Sequence, residues 1–173
     1  MRRGMISGAF AIAALVLAAG CSLKSTDDGN GGAAPGLAGA WRGKVQFSDG
    51  PYASMKDMEF LYAFNAGGTM TESSNYDASP PVTPAYGVWR ETSPGHFEAK
   101  YVFYNTKPPA RLQDLPAGGW LRAGSGVLVE TITLAADGQS YDARIAMDLT
   151  DENGKPAPEG TSHATVHATR IKF

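Results

Sequence analysis

The chain has 173 residues, with 15 basic against 17 acidic side chains and a single cysteine, Cys21. The slightly acidic balance speaks against a nucleic-acid surface or a polybasic membrane patch, both of which need excess positive charge. One cysteine excludes an internal disulfide, a cysteine-based metal site and, because it lies before the folded part, a thiol nucleophile there.

Residues 1–20 read as a targeting segment and not as part of the fold. Arg2 and Arg3 form a basic start, residues 6–17 are apolar, and the small residues Ala18, Ala19 and Gly20 precede Cys21. The segment resembles a bacterial lipoprotein signal, with Ala18 where leucine is commonest. The resemblance implies cleavage after Gly20 and a lipid, palmitate among its acyl chains, on the Cys21 thiol. A plain secretory signal is the alternative; the apolar run falls short of the ~20 residues a membrane span needs. Residues 21–38 are mostly small and polar, and they read as a flexible tether. Removing the signal leaves enough chain for one domain, over residues 39–173.

From Gly39 onward, short β-type runs alternate with Gly, Pro, Asn and Asp. The pattern predicts strands over 41–47, 58–65, 69–75, 85–92, 96–106, 126–134, 139–149 and 162–173. A single helical turn is expected near 110–115. Tight turns at 66–68, 93–95 and 135–138 alternate with long links at 48–57, 76–84, 107–125 and 150–161. In an antiparallel meander, alternate connections fall at opposite ends. All tight turns therefore sit at one end and all long loops at the other. About eight such strands suffice to close an all-β, up-and-down antiparallel barrel, which removes exposed edges.

Gly39-Ala40-Trp41 opens the first strand and Thr169-Arg170-Ile171 nearly ends the last. This pairing resembles lipocalins and related calycin barrels, which carry Gly-x-Trp on the first strand and a basic residue on the last that packs over the Trp. Phe64 to Thr69, Tyr86 to Trp89 and Glu130 to Leu134 are also similar to secreted bacterial lipocalin-like proteins. The resemblance covers about residues 36–173 and implies a barrel with a Trp41–Arg170 seam. It does not imply a reaction.

Two carboxylates stand out. If Leu134 pairs with Gln139 across the 135–138 turn, Glu130 shares the apolar face of Ile132, Tyr141, Ala143 and Ile145. If Asn65 lies opposite Thr69, Tyr62 faces Glu72, on the face of Phe60 and Phe64. Two carboxylates inside one barrel would bind a polar ligand group or act as acid and base. A one-residue slip would put either outside. Same-face partners for Glu130 are Tyr62, Tyr101, Tyr141 and, in a matching register, His167. Phe97, Tyr101 and Phe103 form an aromatic stripe that Trp89 joins if Glu91 pairs with Phe97, and Trp120, Arg111 and Arg122 sit on the loop before the sixth strand. As i and i+4 on one strand, His163 and His167 lie roughly 13 Å apart, too far for one metal ion. No catalytic set, metal site or cofactor is assigned.

The ligand-binding candidates are therefore Tyr62, Glu72, Trp89, Tyr101, Phe103, Trp120, Arg122 and Glu130. The leading expectation is a lipid-anchored cell-envelope barrel, bound to the membrane through Cys21, that binds a small, partly apolar molecule. Ser22 after the cysteine favours the periplasmic face of an outer membrane, where the cell has one. The alternatives are a barrel isomerase or cyclase of the allene-oxide-cyclase or dirigent type, and a structural or partner-binding lipoprotein with a solid core. A lumen of at least ~300 Å³ favours the first two over the third.

Overall fold

The structure, a computed structural model, describes residues 36–76, 83–114 and 119–173. The signal, Cys21 and the tether up to residue 35 lie outside the described residues. Eight antiparallel strands close into one barrel in sequence order: β1 (Gly39–Phe47), β2 (Met58–Phe64), β3 (Thr69–Ser74), β4 (Ala85–Ser93), β5 (His96–Lys107), β6 (Leu121–Leu134), β7 (Ser140–Asp151) and β8 (Ser162–Arg170). A single 3₁₀ turn, Leu112–Asp114, stands where a helical turn was expected. The closed, up-and-down architecture is compatible with a lipocalin-like fold.

Strict alternation builds the core. In β1, Trp41, Val45 and Phe47 are buried while Arg42, Lys44 and Gln46 face out. The same period of two runs through β5, β6, β7 and β8, so one apolar face per strand fills the lumen. Pairing of β1 with β8, from Trp41↔Arg170 to Phe47↔Ala164, closes the cylinder and leaves no free edge. Leu37, read as the end of the tether, is fully buried, and its carbonyl accepts a hydrogen bond from Trp41 Nε1 at 2.9 Å.

Several boundaries differ from expectation. The β6–β7 register pairs Leu134 with Tyr141, not with Gln139. Gln139 is used in the turn instead: Ala135 N bonds Ser140 O, and Gln139 N bonds the Asp137 carboxylate. The shift is two residues, so every side chain keeps its face and Glu130 still points inward. β6 begins at Leu121, five residues before the expected start. Ala123-Gly124 carries little strand signal, yet β5 and β7 both pair with this stretch. Gly124 permits that approach, since a Cβ there would lie 1.9 Å from Thr150 O. β8 stops at Arg170, and Ile171 and Phe173 are exposed. His167 faces outward against Asp142 and is no partner for Glu130, because Val166 and Ala168 take the inward positions.

Candidate functional site

The tight turns close one end of the lumen. Trp41, Phe64 and Tyr141 pack there edge to face, with ring centroids 5.0 Å (Trp41–Tyr141) and 6.4 Å (Phe64–Tyr141) apart. Trp89 belongs to this end. It contacts Phe64 at 6.0 Å and Phe97 at 5.8 Å, and its Nε1 donates to Asn65 O. Glu91 pairs with Phe97 as expected, but Trp89 is half-buried and closes the base instead of lining a ligand space.

The middle of the lumen is polar. Glu130 is fully buried, and Tyr101 OH donates to its Oε2 at 2.9 Å. Tyr62 packs at 6.4 Å from Tyr101 and 6.2 Å from Tyr141. Gly43 makes room for Tyr62, because a Cβ there would come within 3.1 Å of the ring. Glu72, opposite Tyr62 in the β2–β3 register, is 6% exposed. Glu72 Oε1 has no hydrogen-bond partner, and Tyr62 OH, Glu130 Oε1 and Tyr141 OH lie close together without well-formed hydrogen bonds between them. Such an orphan is costly in a core.

Electrostatics follow from the burial. Desolvation pushes the Glu72 carboxyl up to about 8, and the neighbouring Glu130 charge adds to the rise. Burial likewise lifts Glu130 to about 7, against the lowering effect of the Tyr101 hydrogen bond and the nearby Tyr62 hydroxyl. Burial first, and Glu130 second, hold the Tyr62, Tyr101 and Tyr141 hydroxyls well above the ordinary tyrosine range. Glu72 is therefore mostly protonated at neutral pH. The pair can hold and release a proton, donate a hydrogen bond or, once ionised, hold a positive charge.

Glu72 also lines a small hollow at the long-loop end. The hollow measures about 30 Å³, and Phe47, Met58, Phe60, Ser74, Phe103, Leu128 and Met147 complete its strand-borne wall. Gly126 seats Phe103, whose ring would lie 2.2 Å from a Cβ at that position. Tyr52 and Tyr76 form the outer wall from the links after β1 and β3, in edge-to-face contact at 5.7 Å. Tyr52 also packs on Phe47 at 5.4 Å and reaches Asn105 Oδ1 at 3.5 Å.

The structure thus brings Tyr62, Glu72, Tyr101 and Glu130 together, with Phe103 on the hollow. It does not bring Arg122 there: Arg122 is exposed, lies 5.5 Å over the outward-facing Tyr104 and bonds Glu152 O. Trp120 is half-buried just before β6 and does not line the hollow. Tyr52 and Tyr76 were not anticipated. Their signal was one aromatic residue in each of two Pro-bearing links. Among the described residues, no three His, Cys, Asp or Glu side chains form a metal-holding group. The chain matches no family model, no curated protein and no solved structure, so the geometry of this site carries the functional argument.

Proposed function

We propose that this protein is a lipid-anchored cell-envelope barrel that binds a small molecule at its long-loop end, over Glu72. The observation that carries the reading is Glu72, a buried carboxyl group with one unpartnered oxygen, in the wall of a mostly apolar hollow. Burying a carboxyl this way sacrifices stability, and a ligand that satisfies it restores the balance. The hollow is far below the ~300 Å³ of a drug-sized pocket. The ligand is therefore a small group, or a larger molecule whose remainder sits outside, beyond Tyr52 and Tyr76.

The anchor rests on residues 1–21 of the sequence. β1 enters the barrel beside the tight turn after Phe64, since Gly39 pairs with Phe64. A lipid on Cys21 would hold the closed end toward the membrane and turn the hollow away from it. The test is native mass spectrometry of the mature protein taken from its own envelope. A co-purifying small molecule, lost in Glu72→Leu, supports binding, and loss of membrane retention in Cys21→Ser supports the anchor.

The nearly filled lumen favours a second reading, a structural barrel that works through its outer surface. Tyr86, Val88, Val102 and Tyr104 are exposed on the neighbouring strands β4 and β5. Mature protein without any co-purifying molecule, together with a stable partner lost in Tyr86→Ser, would favour it.

A further inference from the structure

Resting on the binding reading above, we infer that the hollow takes the charged head of a small organic ammonium ion. Among the described residues, the buried ionisable side chains of the lumen are Glu72, Glu130 and the tyrosines Tyr62, Tyr101 and Tyr141, so it contains two carboxyl groups and no buried base. Glu72 is more than nine-tenths buried, lines the hollow and has an unpartnered Oε1. Around it stand five aromatic rings: Phe47, Tyr52, Phe60, Tyr76 and Phe103. Ring faces are the negative part of an aromatic quadrupole. A cage of rings with one carboxylate suits a cation and repels an anion. A neutral group would satisfy the hydrogen bond but gain less from the ring faces, without the electrostatic attraction of a cation.

Size agrees with this occupant. The hollow, about 30 Å³, has room for a compact head group and none for a drug-sized molecule. The carbon chain must then lie toward Tyr52 and Tyr76, which are only half-buried.

Charge makes the binding pH-dependent. The groups around Glu72 are Tyr62 on β2, Tyr101 on β5, Glu130 on β6 and Tyr141 on β7, with Tyr52 and Tyr76 at the rim. Strand β1 brings no titratable group inward. On β4, Glu91 is exposed at the closed end, and on β8 Arg170 is tied to the closed seam. Burial keeps Glu72 protonated up to about pH 8. An entering ammonium therefore displaces the Glu72 carboxyl proton to solvent, and the ion pair remains. No bond to carbon forms or breaks.

The test titrates the full chain, solubilised in a non-ionic detergent, with n-butylammonium, n-butanol and n-butyrate at pH 8. Binding is read from ¹³C-labelled methyls of Met58 and Met147, which line the hollow. Butylammonium should shift both methyls with at least tenfold higher affinity than butanol, and butyrate should not shift them. Calorimetry in buffers of different ionisation heat should show about one proton released per ligand at pH 7, with about tenfold weaker binding for each pH unit below that. Glu72→Gln should lose the preference for butylammonium while keeping a folded methyl spectrum. Equal or tighter binding of butanol or butyrate overturns the ammonium inference and leaves the small-molecule reading standing. If none of the three shifts the methyls, both fall.

Discussion

The guanidinium of Arg170 lies 4.1 Å above the ring of Trp41, and the two residues face each other across the strand pair that closes the barrel. Its nitrogens also donate to the carbonyls of Gly36, Ala38 and Gly138, each at 2.8 Å. One side chain thus ties together the incoming chain, the last strand and the β6–β7 turn. Trp41 itself is fully buried beneath it.

That contact predicts unequal costs for two arginine truncations. A cation–π contact contributes ~0.5–2 kcal/mol, and each charge-assisted hydrogen bond adds to it. Arg170→Ala should lower stability by about 2–4 kcal/mol. Arg144→Ala, on the outer face, should change it by about 0.5 kcal/mol or less. Equal denaturation midpoints for the two variants would contradict the seam.

Stability should fall as pH rises through neutrality. Glu72 and Glu130 both have folded pKa values above their unfolded ones, at about 8 and about 7. The folded barrel therefore binds protons that the unfolded chain has released. This contribution is fully present below about pH 4 and is lost by about pH 8. Each unit of difference is worth about 1.4 kcal/mol, so the loss summed over both groups is on the order of 8 kcal/mol. Urea titrations at pH 5 and pH 8 measure it, and Glu72→Gln should shrink the difference to the share that Glu130 contributes.

Replacing the Glu130–Tyr101 pair should separate stability from binding. Glu130→Leu removes a buried carboxyl but strands the Tyr101 hydroxyl, which costs about 1–3 kcal/mol. The double variant Glu130→Leu with Tyr101→Phe should be at least as stable as the native protein at pH 8. It should keep any molecule held at Glu72, because neither residue lines the hollow. A double variant that melts far below either single one would mean the pair is a stability device.

Gly126 sets the shape of the hollow. Gly126→Ala would drive its new methyl into Phe103, 2.2 Å from the ring. Displacing that ring should cost about 1–3 kcal/mol and fill the space beside Glu72. The Met58 and Met147 methyls should then stop responding to ligand, although Glu72 is untouched. An unaltered response would mean that Phe103 does not bound the site.

The strand order and the sorting of loops to opposite ends were legible in the sequence alone, and the Trp41–Arg170 seam came from the resemblance to lipocalins. A period of two and the positions of Gly and Pro are local signals, and they survive whatever the strands pair with. The inward aim of Glu130 was legible for the same reason, because the hairpin moved by two residues and parity was kept. The early start of β6 was not: Ala123-Gly124 has weak propensity, and its strand exists through pairing on both sides. Nor could the sequence tell a lined pocket from a filled one. Trp89, Phe103 and Tyr62 have the same parity and similar chemistry, yet one closes the base, one bounds the hollow and one fills the middle. That division depends on height along the barrel and on how rings from opposite strands share one volume. The same holds for Tyr52 and Tyr76, whose links carry no periodicity. Only closing the sheet brought them to the rim above Glu72, because the alternation of side chains is a property of one strand and the lumen is a property of all eight.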